Sequence, residues 1–428
     1  MKKNYLFFLP LFIYTCLSAQ SPDNLTLPAV NRVYKPYINT VLLYKSGFEM
    51  SAPIIRMNSE ERLELSFDDL EGDLKNYRYT ITHCEADWAP STLLSEMEYI
   101  DGFRDEMIDQ HAYSGNTTIH YTHYTAIIPG NNMRPSISGN YILKVFIDNP
   151  SDVAFTRRFM IVESNSVTVT GNVHQAASLA DRETKQQIDF EVNLNGTRVS
   201  DPSREIRVVI QQNERMDNRI TITKPRFTRG EVLDYKYDDG IVFKGGSEFR
   251  AMDIRNLMSQ SERVRKIEYD SGVYKVVLLD DLKKGSRNYI SDKDINGRML
   301  IRCDGRPETS DIDADYARVR FFLYTDGPIL TGKIFLMGAL TGWEMDDASG
   351  TTYNPSLRGY ERWKLLKQGY YNYIYVQKDS QSGATDSSPF EGSHWETENV
   401  YTILVYLHEL GGLTDRLIAV QDLGSNSY

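Results

Sequence analysis

Strict alternation of apolar and polar residues is the feature that most restricts how this chain can fold. Every second residue from Leu63 to Phe67 is apolar, and the stretches 188–194 and 318–323 repeat the pattern. Such alternation is typical of a β-strand with one face on a core and the other toward solvent. Similar stretches lie at 77–82, 141–147, 207–211, 274–279, 333–337, 371–376 and 401–407. The pattern predicts an all-β protein.

Turn-forming residues between these strands indicate how the chain divides. A polar link lies at 164–166, and the turn-rich segment 325–328 reads Thr-Asp-Gly-Pro. Many short strands separated by such turns favour immunoglobulin-like or fibronectin-like β-sandwiches. We predict a signal peptide at 1–19, an extended N-terminal arm at 20–36, and three consecutive β-sandwich domains at 37–163, 164–325 and 326–428.

The first residues have the layout of a secretory signal. Lys2 and Lys3 precede an apolar stretch at 5–17, and Ala19 supplies a small residue for cleavage. A lipoprotein signal ending at Cys16 is the alternative, but the residues before Cys16 are not the small ones that a lipobox needs. We therefore expect export with cleavage near Ala19.

The charge balance limits the partners. The chain has 48 Lys and Arg against 59 Asp and Glu, and removal of the signal with its two lysines changes the net charge from −11 to −13. An acidic surface disfavours nucleic acid as a partner. No later segment has the roughly 20 apolar residues of a membrane-spanning helix, so no direct membrane span is expected.

Motifs for catalysis or cofactor binding are missing from the sequence. It contains neither a glycine-rich dinucleotide loop nor a phosphate-binding P-loop, and no Gly-x-Ser-x-Gly elbow. Acid pairs occur at 68–69, 238–239, 280–281 and 346–347, and we interpret them as solvated turn residues. We predict no enzyme activity, no catalytic or cofactor-binding residues, no cofactor, and no small-molecule ligand.

Two segments superficially resemble metal sites. His120 and His123 form a His-x-x-His, but on a strand their rings would point to opposite faces. The segment 311–315 begins like a calcium loop, yet Tyr316 and Phe322 replace the glycine and glutamate that such a loop requires. We predict no metal-binding residue and interpret 311–315 as an acidic turn before a strand.

After loss of Cys16, Cys84 and Cys303 are expected to be two separate thiols, with a disulfide between them as the alternative.

The third predicted domain resembles the starch- and glycogen-binding sandwich. The segment 338–343 ends in Trp343, and 369–373 reads Gly-Tyr-Tyr-Asn-Tyr. In that family a tryptophan at the place of Trp343 can stack on sugar, together with a lysine and a second tryptophan. Here Ile374 stands where the lysine would be, and the loop 377–394 has no tryptophan. We therefore favour packing of Trp343 in the sandwich, with sugar binding as the alternative.

Several segments together resemble the plug protein of the type IX secretion system, from about residue 30 to 425. They lie at 77–88, 98–103, 121–124, 138–141, 248–250, 315–316, 366–373 and 391–399. The resemblance implies a non-catalytic periplasmic accessory subunit at the inner face of the outer membrane. Its partner would be the translocon β-barrel, whose periplasmic opening it plugs when no substrate is in transit. The alternative function is an exported glycan-binding protein that uses its aromatic third domain.

Overall fold

The computed structural model describes residues 27–163, 166–285 and 288–425. Strands make up 47% of it and helices 6%, so the predicted all-β class is confirmed. Within the described residues no helix is both long enough and apolar enough to cross a membrane. The predicted signal peptide at 1–19 and residues 20–26 of the predicted arm lie outside the described residues.

The first part of the chain forms one sandwich. Sheets β1-β12-β11-β5-β7 and β2-β4-β9-β8 face each other, with β3 on β12 and a separate ribbon β10-β6. Leu63, Leu65 and Phe67 of β4 are fully buried in the core between them, as the alternation predicts. The elements are β1 Arg32–Val33, β2 Ile38–Lys45, β3 Ile54–Arg56, β4 Leu63–Asp69, β5 Tyr77–Cys84, α1 Glu96–Tyr99, β6 Ile100–Gly102, β7 Asp105–Ile108, β8 Gln110–Tyr113, β9 Thr122–Ile128, β10 Met133–Pro135, β11 Gly139–Ile147 and β12 Val153–Val162.

Two 3-10 helices lie at Pro307–Thr309 and Ala339–Thr341, and the rest of the chain within the described residues also contains nineteen strands and three short α-helices. They are β13 Thr168–Gln175, β14 Lys185–Asn193, α2 Pro202–Glu205, β15 Ile206–Gln212, β16 Ile220–Ile222, β17 Phe227–Arg229, β18 Val232–Asp234, β19 Val242–Lys244, β20 Arg250–Asp253, β21 Val264–Asp270, β22 Val273–Leu278, β23 Met299–Ile301, α3 Ser310–Asp313, β24 Tyr316–Tyr324, β25 Gly332–Met337, β26 Thr352–Asn354, β27 Gly359–Lys367, β28 Gly369–Asp379, β29 Thr385–Asp386, α4 Ser388–Glu391, β30 Val400–Leu407 and β31 Arg416–Gly424.

The second sandwich is made from two separate parts of the chain. One sheet is β13-β14-β18-β17 with β19 on β14, and the other is β16-β15-β30-β31. Val208 of β15 lies opposite Val405 of β30, and both are fully buried in the shared core. The last two strands of the chain therefore complete a sandwich that begins at residue 167.

The third sandwich is inserted between β19 and β30. Its sheets are β20-β28-β23, with β25 and β29 also on β28, and β21-β22-β24-β27-β26. The predicted boundary between 164–325 and 326–428 is therefore corrected: β20 to β24 precede residue 325 and belong with β25 to β29. Alternation identifies strands, but it carries no information about which strands share a sheet.

Each pair of sandwiches is in contact. The first and second meet in an apolar cluster, the Trp88 cluster, made of Ala29, Cys84, Ala86, Trp88, Ile142, Met160, Val209, Leu404, Tyr406 and Leu417. The second and third are joined by an ion pair between Lys244 and Asp386 and another between Glu214 and Arg298. Arg158 of the first sandwich pairs with Glu344 of the third at 2.9 Å. Each sandwich therefore contacts both of the others.

Candidate functional site

Buried polar groups hold the first and third sandwiches together. Asp68 on β4 accepts hydrogen bonds from His123 Nδ1, Lys367 Nζ and Tyr316 OH, each at 2.6 Å. His123 comes from β9, Tyr316 from β24 and Lys367 from β27, and Asp68 has no exposed surface. These four residues, the Asp68 cluster, join side chains that are up to 299 positions apart in the sequence.

The electrostatics of the Asp68 cluster favour the ionised carboxylate. Burial alone would raise the pKa of Asp68, but the Lys367 charge and the His123 hydrogen bond lower it below its ordinary value. The ammonium also lies 4.2 Å from the centre of the Tyr121 ring, and it donates to the Asp311 carbonyl at 2.6 Å. A buried charge is tolerated when it is paired and hydrogen-bonded in this way.

The two segments that resembled metal sites belong to this contact instead. His120 is exposed, whereas His123 is buried against Asp68, so the two histidines do not converge. Asp315 accepts the backbone N–H groups of Thr118 and Ile119 at 2.7 and 3.2 Å. The segment 311–315 leads into a strand, as expected, but its first three residues are the end of α3 rather than a turn, and β24 begins at Tyr316.

A second buried ionic group, the Arg250 cluster, lies inside the third sandwich. Arg250 donates to Glu391 at 3.0 Å and to Asp281 at 3.0 Å, and all three are at most 5% exposed. Tyr373 and Tyr375 of β28 donate to the other oxygen of Asp281 at 3.0 and 2.9 Å. Burial alone would lower the pKa of Arg250, but the charges of Glu391 and Asp281 outweigh it and raise that pKa.

The aromatic side chains that resembled a sugar-binding surface are buried in the third sandwich. Tyr371, Tyr373 and Tyr375 are at most 1% exposed. Trp343 is 7% exposed and packs edge-on against Phe249, with ring centres 6.0 Å apart. A sugar can stack only on an accessible ring, so the packing interpretation of Trp343 is confirmed and the sugar-stacking alternative is wrong.

Two of the four acid pairs, 68–69 and 280–281, differ from the prediction of solvated turns, whereas 238–239 and 346–347 lie in turns and are half-buried or exposed. Asp68, Asp69 and Asp281 are at most 1% exposed, and each carboxylate accepts several hydrogen bonds. Asp69 accepts from Lys75 Nζ at 2.7 Å and from Tyr77 OH at 2.9 Å. These buried carboxylates each hold several neighbouring side chains in place. The sequence does not reveal this role, because adjacent acids near glycine or leucine look like ordinary turn residues.

Two groups of side chains have metal-like composition. Asp69, Glu71 and Asp73 surround the ammonium of Lys75, which already occupies the position of a cation. In the other group Asp415 accepts from His408 Nδ1 and the Ala86 N–H, both at 2.9 Å, and Glu85 accepts the Asp415 N–H at 2.7 Å. Both groups are therefore explained by hydrogen bonds and ion pairs of the chain itself.

Ser91 and His83 resemble a nucleophile and its base, with Ser91 Oγ 2.8 Å from His83 Nδ1. His83 has no exposed surface, and its Nε2 lies 3.1 Å from the Ser138 carbonyl oxygen. Burial lowers the pKa of this histidine. A substrate cannot reach the pair, so it is a packing contact.

Cys84 and Cys303 are both free thiols, as the interpretation of two separate thiols expected.

One buried acid lies where the second and third sandwiches are connected. Glu248, in the segment between β19 and β20, accepts from Tyr289 OH at 2.5 Å and from the Glu398 N–H at 3.0 Å. Glu398 belongs to the returning segment before β30. Burial raises the pKa of Glu248 from 4.5 to about 7. Ionisation of Glu248 therefore affects both chain segments that connect the second sandwich to the third.

We expect the stability of the protein to fall as pH rises from 4.5 through 7, because the folded state holds a proton on Glu248 that the unfolded state releases. Glu248→Gln should remove this dependence and stabilise the protein at pH 8 by about 1–3 kcal/mol. Urea unfolding at pH 5, 6, 7 and 8 measures it, with the exposed Glu262→Gln as control. An identical pH dependence of Glu248→Gln and the unmutated protein would contradict this assignment.

Comparisons with known proteins agree with the sequence resemblance. Residues 38–163 match the family described as Type 9 secretion system plug protein 1st domain. A crystal structure of a hypothetical protein from Parabacteroides merdae is 31% identical, with a TM-score of 0.89, and the match covers 92% of this chain and 99% of that one. A search of curated proteins finds no match.

Other solved structures are similar only at a level that carries no argument. The C-terminal domain of the Streptococcus pyogenes antigen I/II-family protein AspA is 9% identical, with a TM-score of 0.15 over 90% of this chain and 99% of that one. Salmonella alpha-2-macroglobulin is 11% identical, with a TM-score of 0.16 over 94% of this chain and 24% of that one. The family model matches the first domain, and the Parabacteroides merdae protein matches nearly the whole chain. The chain therefore belongs to the plug protein family of the type IX secretion system, a family that is not catalytic and has an accessory role in secretion at the cell envelope.

Proposed function

We propose that this protein closes the periplasmic opening of the outer-membrane translocon barrel of type IX secretion when no substrate is in transit. It does so without catalysis, as an exported periplasmic subunit at the inner face of the outer membrane. A barrel of about 36 strands encloses an aqueous lumen too wide for its own side chains to fill. A separate globular body is therefore needed to stop leakage.

The observation that carries this proposal is the way the three sandwiches are joined. The Asp68 cluster joins the first to the third, the Trp88 cluster joins the first to the second, and two chain segments connect the second to the third. Buried ion pairs specify one arrangement, because separating the partners leaves charges without compensation. A body that keeps its shape is suited to covering an opening, and membership of the plug protein family supports the secretion machinery as the partner.

Co-purification tests the partner directly. A tagged copy of the protein, extracted with the outer membrane in mild detergent, should recover a very large barrel protein. A tagged exported protein of unrelated fold is the control for non-specific recovery. Failure to recover any large barrel in repeated preparations would remove the main support for the proposal.

Deletion of the gene tests the closing function. In cells that retain the translocon, loss of this protein should increase sensitivity to antibiotics too large for ordinary porins by several-fold, because the barrel lumen is then open. Growth inhibition by such an antibiotic measures the effect. The same deletion in cells without the translocon barrel should change nothing, and equal sensitisation in both backgrounds would contradict the proposal.

A further inference from the structure

A cavity of about 390 Å³ lies between the first and third sandwiches, next to β2 and the segment before it. A volume in this range suits a small organic molecule. Arg157 and Lys364 line it together with apolar side chains of the third sandwich. Those side chains include Met299, Leu340, Leu366 and Tyr371. The cavity therefore combines positive charge with apolar surface.

Arg157 occupies an unusual position for a cation. On β12 it follows Phe155 and precedes Phe159 at a spacing of two, so it shares the core-facing side of the strand with two buried rings. Its guanidinium donates to the carbonyls of Thr156 at 2.9 Å and Val41 at 3.4 Å. Among the described residues no carboxylate forms an ion pair with it, since the nearby Glu344 pairs with Arg158.

Lys364 is in the same situation in the other sandwich. On β27 it lies two positions from buried Leu366, again on the core-facing side. Its ammonium donates to the Ala348 carbonyl at 3.1 Å. Asp346, an acid that also lines the cavity, accepts the N–H groups of Ala348 and Ser349 at 2.9 and 3.0 Å. Within the part of the chain that the structure describes, Lys364 has no carboxylate partner.

Burial disfavours the charged form of both cations. Burial lowers the pKa of Arg157 to about 10. Burial, and then the charge of Arg362, lower the pKa of Lys364 to about 8. Lys367 and Arg250, by contrast, are each paired with a buried carboxylate. Lys35 at the rim of the cavity is also paired, with Asp152 at 2.5 Å.

We propose that Arg157 and Lys364 together bind the carboxylate or phosphate group of a small organic anion, whose apolar part lies against Met299 and Leu340. Two cations from separate sandwiches converge on one cavity and leave donors unused. An oxyanion satisfies those donors through charge-assisted hydrogen bonds, which are stronger than neutral ones. Because the cavity lies between two sandwiches, the bound anion would also stabilise their contact.

Calorimetric titration of the full-length mature protein with three probes tests the site: octanoate, octyl phosphate and inorganic phosphate. One-to-one binding of octanoate or octyl phosphate is expected, and whichever binds more tightly identifies the head group. Arg157→Met and Lys364→Met should each weaken binding by about tenfold or more, as expected for loss of a charge-assisted bond. Lys333→Met, at an exposed lysine of β25, is the matched control and should bind as the unmutated protein does.

A thermal unfolding series separates ligand binding from a structural role. Without ligand, both methionine variants should unfold at or above the temperature of the unmutated protein, because each removes an unpaired, partly buried charge. With octanoate or octyl phosphate the unmutated protein should unfold at a higher temperature and the variants should not respond. Absence of binding by both organic anions, binding of inorganic phosphate alone, or unchanged affinity in the variants would overturn the proposal.

Discussion

Replacement of Lys367 by methionine should destabilise this protein by about 3–5 kcal/mol, because it leaves a buried carboxylate without its cation. Methionine keeps the length and most of the volume of the lysine side chain, so the change is mainly one of charge. Asp68 would retain only its bonds from His123 and Tyr316. The free energy of unfolding in urea at pH 7 measures the effect.

The exposed pair of Lys275 and Asp270 provides the matched control. Its atoms are 2.5 Å apart, close to the Asp68 to Lys367 distance, but both side chains are more than a third exposed. Lys275→Met should cost only about 0–1 kcal/mol, as exposed ion pairs usually do. If the two variants lost similar amounts of stability, the buried pair would not be holding the sandwiches together.

The pH dependence of the same variant provides a second measurement. The folded-state pKa of Asp68 lies below its ordinary value of 3.8. Its contribution to stability is therefore present above pH 3.8 and lost as pH falls through the folded-state value. Lys367→Met should weaken this acid-side loss. Equal acid unfolding curves for both proteins would place the charge dependence elsewhere.

The sequence predicts the strands of this fold better than their partners. Alternation identified β4, β5, β11, β14, β15, β24 and β30, because a half-buried strand imposes a period of two on its own residues. The pairing of β15 with β30 joins residues about 200 positions apart. It depends on which sheet edge the returning chain reaches, and no local pattern records that. The inserted third sandwich was therefore missed, and the boundary at 325/326 was wrong.

The interface residues were missed for a related reason. Asp68 lies on the side of β4 opposite Leu65 and Phe67, and alternation assigns that side to solvent. Here the third sandwich covers it. Sequence alone cannot distinguish a face exposed to water from one buried by another domain, so a charged residue there looks like a solvated one.

The segments that carried the family resemblance contain many of these interface residues. Segment 77–88 includes Cys84 and Trp88 of the Trp88 cluster, and segment 121–124 includes His123. Segments 315–316 and 366–373 supply Tyr316 and Lys367. The motifs therefore describe how the sandwiches are joined. This explains why they lack the spacing of a catalytic site.

Replacement of Arg250 by methionine is the other change with a large expected effect, again about 3–5 kcal/mol, because buried Glu391 loses its cation, while Asp281 keeps its ion pair with Arg263 at 2.5 Å. The places of Arg250 and Glu391 in the chain give a second reason for a large loss of stability. Arg250 begins β20, where the chain enters the third sandwich, and Glu391 ends α4, where the chain leaves it. Their bond at 3.0 Å closes the ends of an insertion that spans 141 positions. Without it, the two ends keep the sheet contacts and neutral hydrogen bonds such as that from Ser247 Oγ to the Glu391 carbonyl at 2.7 Å.

Hydrogen exchange tests this reasoning at one atom. The Tyr375 N–H donates to Glu391 Oε1 at 2.9 Å, so its exchange should accelerate in Arg250→Met together with the loss of stability. Arg255→Met is the matched control, since Arg255 pairs with Asp253 at 2.6 Å but is 41% exposed, and it should cost at most about 1 kcal/mol. Arg250→Lys should recover only part of the stability, because an ammonium cannot reproduce the guanidinium's simultaneous bonds to Glu391, Asp281 and the Leu282 carbonyl. Full recovery by lysine would show that charge alone, without the planar geometry of arginine, closes the insertion.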